Sequence, residues 1–226
     1  MSSEQLPPAR VAWRYARHLG WGRTLARACY LTLNRVVDAQ VFDCLSMVAG
    51  EENEAYVDAG AFEARVLEPD EVGRLTADSG SGLRPLEETK RALCEGDLGY
   101  ALLASGRPVH VSLFSPRPTR LTGDLYVRFP SPWWYMYGAF THPDFRGRRL
   151  HAVGVVRGFR ELQRRGVERM LCVCEWTNYR SRVSAMRMGW QPCGRVWRLG
   201  VGGRSRLGAS REARAVAMRL EERVAR

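Results

Sequence analysis

The chain has 226 residues, of which 45% are apolar, and its formal net charge is +11. This length suffices for one large domain with an added arm, and the apolar content argues against general disorder. No run of about 18 uncharged apolar residues occurs, so no membrane-spanning helix is expected. The N-terminus, MSSEQLPPAR, lacks the basic-then-apolar order of a secretion signal. We therefore expect a cytoplasmic protein.

The six cysteines are scattered and form no CxxC pair. In a chain of this length, which does not need disulfide staples, we expect reduced, buried thiols. Cys172 and Cys174 alternate on one predicted strand, but no second Cys or His pair lies near them in sequence, so no metal site is expected.

The positive charge is concentrated in the C-terminal part of the chain. Residues 142–226 contain twenty Arg against seven acidic residues, whereas residues 41–141 contain nine basic against fifteen acidic residues. Such a balance favours an anionic partner: a phosphorylated cofactor, nucleic acid, an acidic carrier protein or a lipid surface.

Residues 1–60 are predicted to be an N-terminal amphipathic helical arm. Apolar residues recur at helical spacing over 9–37, with Arg mostly on the other side, and Gly20 and Gly22 are expected to divide the segment into two helices. Such an arm either contacts the inner face of an anionic membrane peripherally, or docks on its own domain or on a second subunit of a homodimer. These alternatives stay open.

Residues 61–200 show a regular order of strands and helices. FEARVL, LGYALLA, PVHVSLFSP, WWYMYGAFT, VERMLCVCE and WQPCGRVWRLGV are predicted strands, the second and third forming a hairpin. EPDEVGRLTADSG, LEETKRALCEG, Leu150 to Arg165 and Thr177 to Met188 are predicted helices, and residues 201–226 a C-terminal basic helix. This order indicates an α/β (α+β) single domain.

The stretch HPDFRGRRLH, residues 142–151, lies between the predicted fourth strand and a helix. A helix N-terminus presents unpaired backbone N–H groups and the positive end of the helix dipole. A preceding turn with a glycine allows close approach of phosphate oxygens, and Arg side chains neutralise them. Gly147 and its Arg neighbours therefore form a candidate pyrophosphate site.

This stretch and the later segment NYRSRVSAMRMGW together resemble the GCN5-related N-acetyltransferase (GNAT) superfamily over roughly residues 61–200. Members bind the pyrophosphate of acyl-CoA with R/Q-x-x-G-x-G/A, which here starts at Arg146. Arg149 and His151 stand where the family prefers Gly and Gly or Ala, so extra bulk is expected near the phosphates. The sequence of these motifs is most similar to that of acyltransferases from bacterial surface-polysaccharide or lipid pathways.

The resemblance implies a mostly antiparallel central sheet flanked by helices, with the thioester entering a gap between the fourth and fifth strands. The cofactor-binding residues it implies are Ala139, Phe140, Thr141, Arg146, Gly147, Arg148, Arg149, Leu150, His151, Asn178 and Ser181. Backbone amides of 139–141 would polarise the acyl carbonyl, and Asn178 would lie near the pantetheine arm.

The catalytic acid and base are less defined. Many members carry a Tyr seven residues after the Asn, where this chain has Ala185, so we expect Tyr179, Tyr137 or Cys174 to serve as acid, with Tyr179 preferred. Glu175, at the end of the predicted fifth strand, is the expected base. His142 and His110 are second choices for the base, and Trp133 and Tyr137 are expected to line the acceptor pocket.

We therefore expect an acyl-CoA-dependent N-acyltransferase that moves an acetyl or other acyl group from coenzyme A to the amine of a small molecule by direct attack. An acyl carrier protein as donor, and an inactive scaffold at a membrane surface, stay open as alternatives. Nucleic-acid binding is not expected, because no reading helix or stacking platform is recognisable.

Overall fold

A computed structural model describes residues 20–34, 37–72, 86–202 and 204–223. The strands are β1 (Asp38–Val48), β2 (Glu63–Val66), β3 (Leu98–Ala104), β4 (Arg107–Ser115), β5 (Thr119–Thr122), β6 (Leu125–Arg128), β7 (Trp134–Thr141), β8 (Arg169–Glu175), β9 (Gln191–Val201), β10 (Arg204–Ala209) and β11 (Arg219–Glu222). The helices are α1 (Trp21–Leu33), α2 (Leu86–Cys94), α3 (Leu150–Arg164), α4 (Tyr179–Met188) and α5 (Arg211–Ala215). Single 3-10 turns lie at Glu54–Tyr56, Pro69–Glu71 and Pro143–Phe145.

Eight strands form a central sheet in the order β10-β9-β1-β8-β7-β4-β3-β2. Every neighbouring pair in it is antiparallel except β7 and β8, which are parallel. A smaller sheet, β11-β6-β5, packs with α5 against the face opposite α3. The predicted fold class, a mixed and mostly antiparallel sheet flanked by helices, is confirmed.

The prediction of a helical arm over residues 1–60 is wrong from Asp38 onward. The helix ends at Leu33, and β1 then enters the middle of the sheet, pairing with β8 on one edge and β9 on the other. Cys44, Leu45 and Met47 are completely buried. A strand covered on both faces and paired on both edges carries no polar–apolar alternation, so period-2 patterning could not reveal it. The predicted helix over 9–19 lies outside the described residues.

Helix α3 packs on β3 and β4 through two glycines. A side chain at Gly154 would place its Cβ 2.1 Å from the His110 ring, and one at Gly158 would lie 2.6 Å from the Phe114 ring. Because these contacts are shorter than any real Cβ contact, the two aromatic rings fix glycine at both positions. The close approach brings the start of α3 against the end of the central sheet.

The prediction of one C-terminal helix over 201–226 is also wrong. Strand β10 forms a hairpin with β9, α5 spans only five residues, and β11 pairs with β6. The helix stops where Ala217 takes a φ of 53°, after which Met218 and Leu220 are buried. Burial of these two side chains in the core between the two sheets outweighs the helical propensity of the segment.

Strands β5 and β6 were not expected either. The predicted helix over 68–80 begins as the 3-10 turn at Pro69–Glu71 and continues as helix at Val72, and residues 73–80 lie outside the described residues. Among the helices that the structure describes, none combines the length and apolar character needed to cross a bilayer.

Candidate active site

A wedge-shaped gap opens in the sheet between β7 and β8. The two strands pair only at Trp134 with Met170 and at Tyr135 with Leu171, and they remain unpaired from there to their ends at Thr141 and Glu175. On its other edge, β8 pairs with β1 continuously from Phe42 to Val48. Strand β8 is thus fully paired along β1, whereas the β7 edge that faces the gap has backbone polar groups without a strand partner beyond Tyr135.

The β7 edge of the gap presents backbone amides. The His142 amide donates a hydrogen bond of 2.9 Å to the carbonyl of Val109 in β4. Because antiparallel pairing alternates, the Phe140 amide also points to β4, whereas the amides of Ala139 and Thr141 point into the gap. The register shifts by one residue at Tyr137, between the Leu113 and Phe114 pairings. Two of the three amides expected to hold an acyl carbonyl thus lie at the gap.

The loop from β7 to α3 contains two residues with a left-handed backbone conformation near its end. Gly147 has a φ of 82°, and Arg149, the residue before the first turn of α3, has a φ of 62°. No side chain caps this helix end, so the amides of its first turn are open to a ligand. The side chains of Arg146, Arg148 and Arg149 are exposed around it. The candidate pyrophosphate residues are therefore gathered at one helix N-terminus.

Two of these arginines are oriented by local contacts. Arg146 Nε donates to the Thr141 carbonyl at 3.2 Å, and the Arg148 guanidinium lies 5.1 Å from the centre of the Phe145 ring. His142 accepts a hydrogen bond from the Asp144 amide through Nδ1, so it shapes the 3-10 turn. The loop is held in a defined conformation beside the mouth of the gap.

His151 does not crowd the phosphate site. Its ring lies edge-on to the His110 ring with centroids 5.8 Å apart, inside the sheet–helix interface, and burial lowers its pKa. The expectation of added bulk near the phosphates therefore fails for His151. At Arg149 the left-handed backbone is the conformation that a glycine adopts without strain, which accounts for the family preference at that position.

The β8 edge of the gap carries Glu175, Asn178 and Ser181. Glu175 Oε1 accepts a hydrogen bond from Thr177 Oγ1 at 2.7 Å, and its side chain is exposed. Asn178 caps α4, with Oδ1 accepting from the Ser181 amide at 3.2 Å. The cap uses one lone pair of Oδ1, and the two N–H donors of the Asn178 side-chain amide stay available to a ligand.

The candidate acids are placed differently. Ala185 is buried in the core beneath α3. Tyr179 is buried between the guanidinium groups of Arg23, at 5.4 Å, and Arg182, at 5.2 Å, so α1 encloses it. Burial, and then the Asp43 carboxylate, raise the pKa of the Cys174 thiol, so this thiol stays protonated at neutral pH.

Of the two second-choice bases, His142 caps the 3-10 turn described above, and His110 lies inside the sheet. His110 is fully buried, and burial lowers its pKa to about 3, so it is a poor base and cannot reach the gap.

Trp133, at the closed end of the gap, packs under the Arg169 guanidinium at 4.5 Å. The expected acceptor residues Trp133 and Tyr137 both lie on the sheet face opposite α3.

A cleft of about 820 Å³ lies on that opposite face and reaches β7 at Tyr137. Its walls come from α2, the end of β4 and the second sheet, and they carry charges of both signs. The lining acids are Glu87, Glu88, Glu95 and Asp97, and the lining bases are Arg91, Arg117, Arg120 and Arg223. Leu171, Val173 and Glu175 are two residues apart along β8, so their side chains lie on the same face of the sheet. This is the face that carries the cleft.

Sequence reasoning missed an ion cluster that fixes α4. Asp43 of β1 is buried and bonds Arg182 of α4 and Arg195 of β9, each at 2.7 Å. The signal would have been an acid inside an apolar run, VFDCLSMV, which requires partners when buried. Within the described ranges, no group of three or more His, Cys, Asp or Glu could hold a metal ion.

No protein-family model and no curated protein matches this sequence. Solved structures match it in fold. A GCN5-related N-acetyltransferase from Kribbella flavida is 14% identical with a TM-score of 0.52, the match covering 78% of this chain and 64% of that one. A GNAT-family protein from Novosphingobium aromaticivorans is 16% identical with a TM-score of 0.50, covering 76% of this chain and 66% of that one. The chain thus spans slightly less than two thirds of each of these proteins.

Proposed function

Starting from the GCN5-related N-acetyltransferase fold that this chain has, we propose that the protein is an acyl-CoA-dependent N-acyltransferase acting on the amine of a small molecule. One observation carries the proposal: the gap between β7 and β8 opens beside the basic N-terminus of α3. A thioester in the gap and a pyrophosphate at the helix would then belong to one ligand. The acyl group, acetyl or longer, is left to experiment.

The pyrophosphate would bind at residues 146–151. The open amides of the first helical turn and the adjacent arginines supply hydrogen-bond donors and positive charge, and both favour phosphate oxygens. Gly147 has open space where a Cβ would stand, so a ligand can approach the backbone there. These features fit the phosphate groups of coenzyme A.

When bound, acyl-CoA supplies an activated acyl thioester. The amides of Ala139 and Thr141 are the donors at the gap edge that would hold the carbonyl oxygen. The donors are fixed by the sheet before any ligand arrives, so no reorganisation is needed. Asn178, at the opposite edge, would donate through its side-chain amide to the arm of the ligand.

The acceptor amine would enter from the opposite face, where the cleft meets Tyr137. The carboxylates of Glu88, Glu95 and Asp97 give that cleft groups that attract an ammonium ion, although Arg117 and Arg120 form ion pairs with them. Glu175 faces this side, and we assign it the role of the base that removes the ammonium proton.

Donation of a proton to the leaving thiolate is assigned to no single residue. Cys174 and Tyr137 belong to the strands that border the gap, whereas Tyr179 is enclosed by two arginines. A Tyr179→Phe variant with undiminished turnover would remove our first choice and leave the other two.

The binding half of the proposal is tested by calorimetric titration with coenzyme A. We expect micromolar affinity for the native protein, and an affinity about 100-fold lower for Arg146→Glu/Arg148→Glu, because two charge-assisted phosphate contacts are lost. The matched control is Arg204→Glu/Arg206→Glu, which changes the net charge equally on exposed β10 and should bind as the native protein does.

Loss of affinity in both double variants would indicate a general charge effect and would refute the loop as the binding site. No binding by the native protein would overturn the acyl-CoA proposal. Capture of an acyl carrier protein by that same native protein would then favour the carrier protein as donor. Turnover is tested separately with acetyl-CoA, a panel of small amines, and Glu175→Gln.

A further inference from the structure

A buried histidine lies directly beneath the candidate pyrophosphate loop. His110 of β4 has no exposed surface, and each ring nitrogen lies 2.8 Å from a hydroxyl: Nδ1 from Thr141 Oγ1 and Nε2 from Ser112 Oγ. Its ring fills the space that Gly154 of α3 leaves open, and His151 of the same helix packs edge-on against it. The ring thus contacts β4, β7 and α3 at once.

The contact with Thr141 continues to the loop. Thr141 is the last residue of β7, and its carbonyl accepts the hydrogen bond from Arg146 Nε at 3.2 Å. The path His110–Thr141–Arg146 therefore joins the sheet interior to the first arginine of the loop. The exposed Arg146 side chain loses rotamer entropy when it binds a ligand, and a hydrogen bond that already anchors it reduces that loss.

Only a polar, buried ring makes this path. An aliphatic residue at position 110 would fill the space below Gly154 but would leave the Thr141 and Ser112 hydroxyls without this partner. A neutral imidazole offers one donor and one acceptor, and each hydroxyl can serve either role. The groups that face His110 from the packed elements are the Thr141 and Ser112 hydroxyls, the His151 ring and the Phe140 backbone. None of them is an acid, and burial outweighs the Phe140 hydrogen bond that favours the charged ring.

We infer that His110 is a positioning residue for the pyrophosphate loop, which fixes the end of β7 through Thr141 and thereby pre-orients Arg146 toward the phosphates. His110 itself touches no ligand. The inference rests on the proposed function, since it assigns a device to the same cofactor site.

Two substitutions at one position separate this role from simple packing. In His110→Asn the side-chain amide reaches the place of Nδ1 and keeps the Thr141 bond, whereas in His110→Gln the amide reaches toward Nε2 and loses it. The asparagine removes more side-chain volume than the glutamine, so a pure packing effect would weaken His110→Asn more than His110→Gln. We expect His110→Gln to bind coenzyme A about tenfold more weakly than His110→Asn, as loss of one hydrogen bond allows. Equal affinities would overturn the inference.

A second pair serves if the His110 variants do not fold. Thr141→Val removes the hydroxyl with little change of shape, and Thr141→Ser retains it. The valine variant should lose about tenfold in coenzyme A affinity and the serine variant should not. In an Arg146→Ala background the valine effect should vanish, because the effect runs through Arg146. A full valine effect in that background would refute the path. Failure of the native protein to bind coenzyme A would instead refute the proposed function.

Discussion

Arg149 occupies a left-handed backbone conformation that glycine adopts more easily. With a φ of 62°, it stands immediately before α3 at the position where GNAT loops prefer Gly. An L-residue there costs roughly 1–2 kcal/mol, and a glycine costs less but loses more entropy on folding. Arg149 therefore places a positive charge at the helix N-terminus, although its backbone is strained there.

Two substitutions that remove the same charge distinguish strain from electrostatics at this residue. Arg149→Gly should leave the free energy of unfolding unchanged or raise it by up to about 1 kcal/mol, since the strain is relieved. Arg149→Val should lower it by about 1 kcal/mol or more, because a β-branched side chain tolerates this conformation poorly. Urea unfolding measures both. Equal stabilities would show that the left-handed conformation is not retained in solution.

His110 also predicts a pH dependence of stability. Its pKa is lowered to about 3 in the fold, from about 6.5 in an unfolded chain. The unfolded chain therefore binds the proton first, so this contribution to stability is complete above pH 7 and declines as the pH falls from 6.5 toward 3, by up to about 1.4 kcal/mol per pH unit. The lowered pKa of His151 acts in the same direction.

The measurement is urea unfolding at pH 7, 6 and 5, where carboxylates contribute little. The native slope should exceed that of His110→Asn by about 1 kcal/mol per pH unit, because the variant lacks the fully buried histidine. Identical slopes would mean that His110 is accessible to protonation in the folded state.

At the scale of elements, the insertion of β1 determines the position of α4. Asp43 bonds Arg182 and Arg195, so one strand residue joins α4 to β9 beside the cap at Asn178. The Asp43 carboxylate is buried, while the Arg195 side chain is 54% exposed, so solvent screens part of the cluster. The cluster anchors the helix whose N-terminus borders the gap.

Asp43→Ala should lower the free energy of unfolding by about 2 kcal/mol, less than the 3–5 expected for a fully buried pair, since Arg195 can reach water. Asp38→Ala is the matched control on the same strand. Asp38 pairs with Arg198 at the exposed rim, and its loss should cost less than about 1 kcal/mol. Similar losses for the two variants would show that the Asp43 cluster contributes no more than a surface ion pair.

Elements with clear local signals could be predicted from the sequence, and elements defined by tertiary burial could not. Helices α3 and α4 follow their apolar spacing, and Gly189 ends α4 in the left-handed conformation that glycine adopts readily. Strands β1 and β11 could not be predicted because neither shows the alternation of polar and apolar residues. Strand β1 is buried on both faces, and β11 is a charged edge strand. In the site, the loop arginines follow from the motif. The depth of His110, and the enclosure of Tyr179 by α1, depend on contacts between distant segments.

For the whole molecule, the gap depends on strands from both ends of the chain. Strand β7 is held by β4, whereas β8 is held by β1, so the two sides of the gap belong to two pairing systems that meet only at Trp134 and Tyr135. The width of the gap is therefore determined by how these two pairing systems are joined at the two paired residues. The sequence shows the basic loop but not this division of the sheet.

The central place of β1 also has a consequence for how the protein is made. During synthesis β1 leaves the ribosome before β2 to β7, whereas both its partners, β8 and β9, are translated after them. Until then a strongly apolar strand has two unpaired edges, the condition that favours aggregation and chaperone binding. Such long-range pairing also predicts slow folding. The gap between β7 and β8 can therefore reach its final form only after β8 and β9 have been translated.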